Sequence, residues 1–298
     1  MESRAAVAQG WTDRYWNSAD GLKLYYRDFA GPPASPPILC LHGLTRNSRD
    51  FAEFAERYAG KWRVIAPDFR GRGRSERDPN PENYKPPVYA ADILGLLDEL
   101  EVREAIFVGT SLGGLVTMAI AAFAPQRIVA VVLNDIGPEL DPAGLERIGT
   151  YVGKPVAFES WDAAASALEQ THSALHPNYG AADWDRHARR ICREVDGAIA
   201  FDYDMAIIEN FRAAQAAPAI DAWPYFRALS GASLLIIRGE HSDLLSASGA
   251  QEMVNAHPDA ELVTVSDVGH APDLGEPAAV AAIDRFLERK IVTASVSI

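Results

Sequence analysis

The stretch Val108-Gly109-Thr110-Ser111-Leu112-Gly113-Gly114 decides how this chain is read. The short apolar run Ala105 to Val108 leads into it and has the length of a buried strand. A helical pattern, Leu112 to Phe123, leaves it and stops at Pro125. A serine framed by glycines between a strand and a helix sits in a turn so tight that the backbone crowds it on both sides. Residues without a β-carbon fit there at low cost. Such a turn pushes the hydroxyl outward. It also puts the Leu112 amide at a helix N-terminus, where N–H groups lack partners and can face developing negative charge. Ser111 is therefore the candidate nucleophile, and the strand–turn–helix setting makes the G-x-S-x-G pattern informative.

Outward from this turn, short apolar runs alternate with amphipathic segments of helical length. Leu22 to Phe29, Ile38 to Leu41, Arg63 to Pro67 and Ile128 to Leu133 read as strands, and Phe51 to Tyr58 and Val88 to Leu100 as helices. From about Gly137 to Ser230 the rhythm changes to Ala, aromatic and charged residues that read as helical, with no convincing strand. Strand pattern returns at Ser233 to Ile237 and at Glu261 to Val265, and Pro277 to Lys290 reads as a last helix. The expected fold class is α/β, with a mainly parallel central sheet flanked by helices. Residues 1–136 and 231–298 would form the core, and 137–230 a helical insertion.

A serine hydroxyl needs a base within hydrogen-bond reach. Of the seven histidines, His270 alone lies late in the chain on a glycine-flanked loop that follows a strand, Val268-Gly269-His270-Ala271-Pro272. Loops at the C-terminal ends of parallel strands are where such side chains converge. The base in turn needs an acid to hold its tautomer. Asp243, in Gly239-Glu240-His241-Ser242-Asp243, follows the strand at Ser233 and is the preferred acid. Asp135, after the strand at Ile128, and Glu240 are its rivals; the order Ser…acid…His does not separate Asp243 from Asp135. A second donor to an oxyanion should come from the loop after an early strand, and Leu41-His42-Gly43-Leu44 supplies one. The amides of Leu44 and Leu112 are the two candidates, with His42 bracing the loop.

Five segments in order then resemble those of the α/β-hydrolase superfamily. They are His42-Gly43, Asp68-Phe69-Arg70-Gly71-Arg72-Gly73-Arg74-Ser75, Gly109-Thr110-Ser111-Leu112-Gly113, Gly239-Glu240-His241-Ser242-Asp243 and Gly269-His270-Ala271-Pro272. The likeness spans nearly the whole chain and places the helical stretch where that superfamily carries its lid. It implies a serine hydrolase of the esterase or lactonase kind, with Ser111, Asp243 and His270 as the catalytic residues and no cofactor. Ser111 disfavours relatives that use an aspartate nucleophile. Hydrolases of C–C bonds in ring-cleavage products often have a tryptophan soon after the histidine, where this chain has Ala271-Pro272. They stand as an alternative, as do cofactor-free haloperoxidases and perhydrolases, and a non-enzymatic ligand-binding protein of the same fold.

Composition narrows the partners. The 298 residues are 48% hydrophobic and 23% charged with a net charge of −13, which argues against nucleic acid or an anionic membrane. No stretch approaches the roughly 20 apolar residues of a membrane span, and Met1 to Gly10 has no apolar run of a secretory signal. Cys40 and Cys192 read as free thiols, so a cytoplasmic enzyme is expected. Gly71-Arg72-Gly73 lacks the remaining residues of a phosphate loop. His172 and His176 lack the partners of a metal set and read as a solvated helix face. The aromatic residues of 137–230 suggest a pocket for a small, largely apolar ester or lactone.

Overall fold

The computed structural model describes residues 10–218 and 220–296; Met1–Gln9, nearly all of the segment read for a secretory signal, lies outside them. The apolar runs become strands and the amphipathic segments helices, in the order expected. The first half contains β1 (Thr12–Asn17), β2 (Lys23–Phe29), β3 (Ile38–Leu41), α1 (Ala52–Tyr58), β4 (Val64–Pro67), α2 (Pro86–Glu99), β5 (Ala105–Thr110), α3 (Leu112–Phe123) and β6 (Ile128–Asn134). An inserted segment follows, with α4 (Pro142–Tyr151), β7 (Ala157–Phe158), α5 (Trp161–His172), α6 (Ala181–Ile191), β8 (Cys192–Val195), β9 (Ala198–Phe201), α7 (Ile207–Ala216) and α8 (Trp223–Arg227). The chain then returns through β10 (Ser233–Gly239), α9 (Ala247–Ala256), β11 (Ala260–Val265) and α10 (Pro277–Val296).

Among the described residues the main sheet has eight strands in the order β1-β2-β4-β3-β5-β6-β10-β11. The β1–β2 and β2–β4 pairs are antiparallel and the rest parallel. Every residue of β3 and β4 is buried, as befits strands covered on both faces. The side-chain period of two sorts the core accordingly. Leu39, Leu41 and Phe107 pack beneath α2 and α3, while Ile38, Cys40, Ile106 and Val108 pack against α1 and α10. Cys40 is thus a buried strand residue, and burial pushes its thiol pKa well up.

The chain runs from β3 to β4 on one side and then to β5 on the other. The C-terminal ends of β3 and β5 therefore flank a topological switch point, where open α/β sheets form their crevice. This brings the loop at His42-Gly43 beside the turn at Ser111.

Two features differ from the sequence expectation. The inserted segment is not wholly helical, because β7, β9 and β8 form a small antiparallel sheet. Its β8–β9 hairpin closes through Asp196-Gly197, both at positive φ (51° and 82°), the dipeptide that suits the twist of a two-residue turn. Packed with α5 and α6, this sheet gives the segment its own core of Leu168, Trp184, Ala188, Cys192 and Ile199. The edge strand β1 was not anticipated either: five of its six residues are exposed, so it carries little apolar pattern. No helix among the described residues is long and apolar enough to cross a membrane.

Candidate active site

Ser111 occupies the turn between β5 and α3 with φ 51° and ψ −117°, a region that costs an ordinary residue energy and persists only when its surroundings impose it. The surroundings do so. A β-carbon on Gly109 would stand 2.7 Å from the Gly113 carbonyl, and one on Gly113 only 2.0 Å from the Leu41 oxygen. The glycines let α3 press onto both β5 and the end of β3. The Ser111 amide donates to the Asn134 carbonyl at 3.0 Å, and the Asn134 side chain donates to the Pro272 carbonyl at 2.8 Å. The turn, the end of β6 and the loop carrying His270 are thereby tied together.

His270 bridges the site. Its Nε2 lies 2.9 Å from Ser111 Oγ, and its Nδ1 lies 2.8 Å from Asp135 Oδ2. The expectation that Asp243 would take this position is corrected: the structure seats Asp135 there. Asp135 follows β6, has φ 54° and is fully buried. It also accepts hydrogen bonds from the Gly239 amide at 2.9 Å and the Ser242 hydroxyl at 2.6 Å. Asp243 instead turns toward α4, where Arg147 grips it through Nε (2.5 Å) and Nη2 (2.8 Å). Burial raises the Asp243 pKa, but the hydrogen bond and charge of Arg147 outweigh it and hold the carboxyl below its ordinary value. The remaining rival, Glu240, is exposed and accepts from the Asp267 amide. Glu240, His241 and Asp267 could converge on a cation among the described residues, yet none of them lines the cavity described below.

The loop after β3 is held from behind. His42 is fully buried, with Nδ1 2.8 Å from the Gly43 carbonyl and Nε2 accepting from the Phe69 amide at 3.1 Å. Burial pushes its pKa down to about 3, so the ring is a neutral brace. Arg72 donates to the Leu44 carbonyl at 2.9 Å and to the Tyr89 hydroxyl at 2.7 Å. Arg70, equally buried, is neutralised by Asp20, Asp78 and Asp92. The segment from Asp68 to Ser75 thus supports the Leu44 loop. A β-carbon on Gly43 would lie 3.7 Å from that of Ser111, so this loop reaches the nucleophile candidate directly. Leu44 is on the loop and Leu112 is the first residue of α3, the two positions expected to offer amides.

The family model described as the alpha/beta hydrolase fold matches residues 36–277. The chain belongs to this family. Its relatives include the 3-hydroxybutyrate-oligomer hydrolase of Cupriavidus necator, 37% identical over 265 residues that cover 86% of this chain and 90% of the relative. The 2-(acetamidomethylene)succinate hydrolase of Mesorhizobium japonicum is 29% identical, over 86% and 89% of the two chains. Among solved structures, an α/β hydrolase from Novosphingobium aromaticivorans is 49% identical with a TM-score of 0.91, covering 95% of this chain and all of that one.

In this α/β hydrolase, Ser111 and His270 open into a cavity of about 420 Å³ between the strand ends and the inserted segment. Of the aromatic residues singled out in 137–230, Tyr151, Phe158, Phe201 and Tyr203 line it, whereas Trp184 fills the segment's own core. One wall is polar: His172, His176 and His187 face the cavity together with Arg46. The expectation of a solvated face for His172 and His176 is therefore corrected; His176 is 7% exposed and His172 partly buried. Burial, reinforced by the charge of Arg46, lowers the pKa of His172 and of His176 to about 4 and that of His187 well below its usual value. Sequence spacing could not reveal this wall, because a histidine facing a cavity and one facing solvent leave the same pattern.

Proposed function

We propose that this hydrolase cleaves a carboxylic ester or lactone of a small, largely apolar substrate through an acyl-enzyme on Ser111. The observation that carries the reading is the hydrogen-bonded chain Ser111–His270–Asp135 opening into the cavity. His270 Nε2 takes the Ser111 proton as Oγ attacks the carbonyl carbon, and Asp135 fixes the tautomer that leaves Nε2 free to accept. The Leu44 and Leu112 amides hold the oxyanion. His270 then gives the proton to the leaving alcohol and activates the water that releases the acid. The inserted segment, 137–230, acts as a lid that excludes bulk water from the reacting carbonyl and shapes the acyl site. The relative that acts on 3-hydroxybutyrate oligomers supports ester chemistry.

The test is a p-nitrophenyl ester series of increasing acyl length on wild type and Ser111→Ala. Sustained turnover by wild type that falls at least about 10⁴-fold in the mutant, with the melting temperature retained, is the expected result. Equal turnover in both proteins would overturn the assignment of Ser111.

A further inference from the structure

The polar wall of the cavity contains a hydrogen-bond acceptor without a partner among the described residues. Thr171 Oγ1 lies 2.9 Å from the Ala167 carbonyl and 3.2 Å from the Leu168 carbonyl, neither of which can donate. The hydroxyl's single proton is therefore committed to the helix backbone. The 2.7 Å contact between Thr171 Oγ1 and His172 Nδ1 must then use a proton on Nδ1. The Leu168 carbonyl beside the ring acts in the same sense, since it too only accepts. A neutral imidazole has one donor and one acceptor, so Nε2 of His172 carries the lone pair. Among the described hydrogen bonds none reaches it.

Arg46 ties one neighbouring ring, that of His187, whose buried Nδ1 keeps no hydrogen-bond partner among the described residues. Arg46 can only donate, so its Nη1, 3.2 Å from His187 Nε2, fixes His187 in the tautomer with Nε2 accepting. Arg46 also holds Asp50 through Nε and Nη2. Tyr151 meets the His172 ring edge-on with centroids 5.3 Å apart and keeps the ring in place. A lone pair on the cavity wall that no protein donor engages is open to a donor that the ligand brings. Arg46 and Arg147 disfavour a cationic donor, and an unsubstituted acyl chain has none. A hydroxyl fits both conditions.

We infer that His172 Nε2 accepts a hydrogen bond from a hydroxyl on the part of the substrate lodged beneath the inserted segment, so that the enzyme selects esters of hydroxy acids over unsubstituted esters of equal length. The inference rests on the ester-hydrolase reading of Ser111 and adds the substrate class and the residue that selects it. His172 is a specificity residue, as it touches the substrate away from the carbonyl.

The experiment compares kcat/KM for ethyl 3-hydroxybutyrate and ethyl butyrate in wild type, His172→Phe and His172→Gln. Wild type should prefer the hydroxy ester by about tenfold or more, since a site built to pair a hydroxyl discriminates against the analogue lacking it. His172→Phe should bring the ratio to about one, and His172→Gln, whose amide oxygen can accept, should keep most of it. A wild-type ratio near one, or an unchanged ratio in His172→Phe, overturns the inference. Labelling of Ser111 by a fluorophosphonate reports folding in each protein. If His172→Phe fails to label, His172→Leu, which also lacks an acceptor, takes its place in the comparison. Labelled wild type that cleaves neither ester overturns the inference alone. Absence of both cleavage and labelling removes the ester-hydrolase reading beneath it as well.

Discussion

The loops after β6 and β10 each present an aspartate at the same edge of the sheet, yet the two acids have opposite surroundings. Asp135 is sealed, with its carboxylate engaged by His270, the Gly239 amide and the Ser242 hydroxyl. Asp243 keeps a side chain 28% exposed and is clasped by Arg147. The β10 loop thus supplies two donors that hold the acid of the β6 loop, while its own acid binds the inserted segment. Position at a strand end makes a carboxylate available; the groups that close over it decide its task.

The largest expected effect breaks this comparison outright. Asp135→Asn should lower kcat by about 10³–10⁴-fold with the fold intact, because the amide favours the wrong imidazole tautomer. Asp243→Asn should lower kcat by less than about tenfold. Steady-state kinetics on one ester with both variants settles the ranking, and the reverse order would restore Asp243 as the acid.

A second expectation sharpens the role of the β10 loop as a seat for α4. Gly144 lies so close to this loop that a β-carbon would stand 2.5 Å from the Asp243 carbonyl oxygen. Gly144→Ala must displace the helix and should destabilise the protein by about 1–3 kcal/mol, read as a lower urea midpoint. An unchanged midpoint would mean that α4 is only loosely seated.

The smallest effect concerns pH. Arg147 holds the folded Asp243 pKa below its ordinary value. The pair therefore contributes stability that is present above the unfolded carboxylate pKa, about 3.9. That contribution is lost as the pH falls through the depressed folded value. Being partly exposed, it should amount to no more than about 1 kcal/mol. Urea unfolding of wild type and Asp243→Asn should differ slightly at pH 6 and converge well below pH 4. A gap that persists in acid would assign the difference to something other than this ion pair.

The main fold and the Ser111–His270 pairing were legible because each rests on local rules. Apolar runs such as Ile38–Leu41 have few fates besides a buried strand, and the Gly109–Gly113 frame admits one kind of turn. The choice between Asp135 and Asp243 was not local. It depends on Arg147, which lies 96 residues from Asp243 in the chain. The Asp196-Gly197 hairpin left a readable turn, but its strands have only four residues each and blended with the helical composition around them. His172 escaped for a different reason: among the described residues no hydrogen bond reaches its Nε2, so no partner in the sequence marks it.

The inserted segment leaves after β6 and returns into β10, and these two strands are hydrogen-bonded neighbours. It behaves topologically as a cassette whose ends meet at one seam in an otherwise continuous scaffold. Asp135 and Asp243 stand on either side of that seam. Replacing the cassette would leave Ser111, His270 and Asp135 in place while discarding both His172 and Arg147. A chimera of this kind would exchange one substrate preference for another and release Asp243 from its tether, leaving a second carboxylate at the seam for new chemistry to recruit.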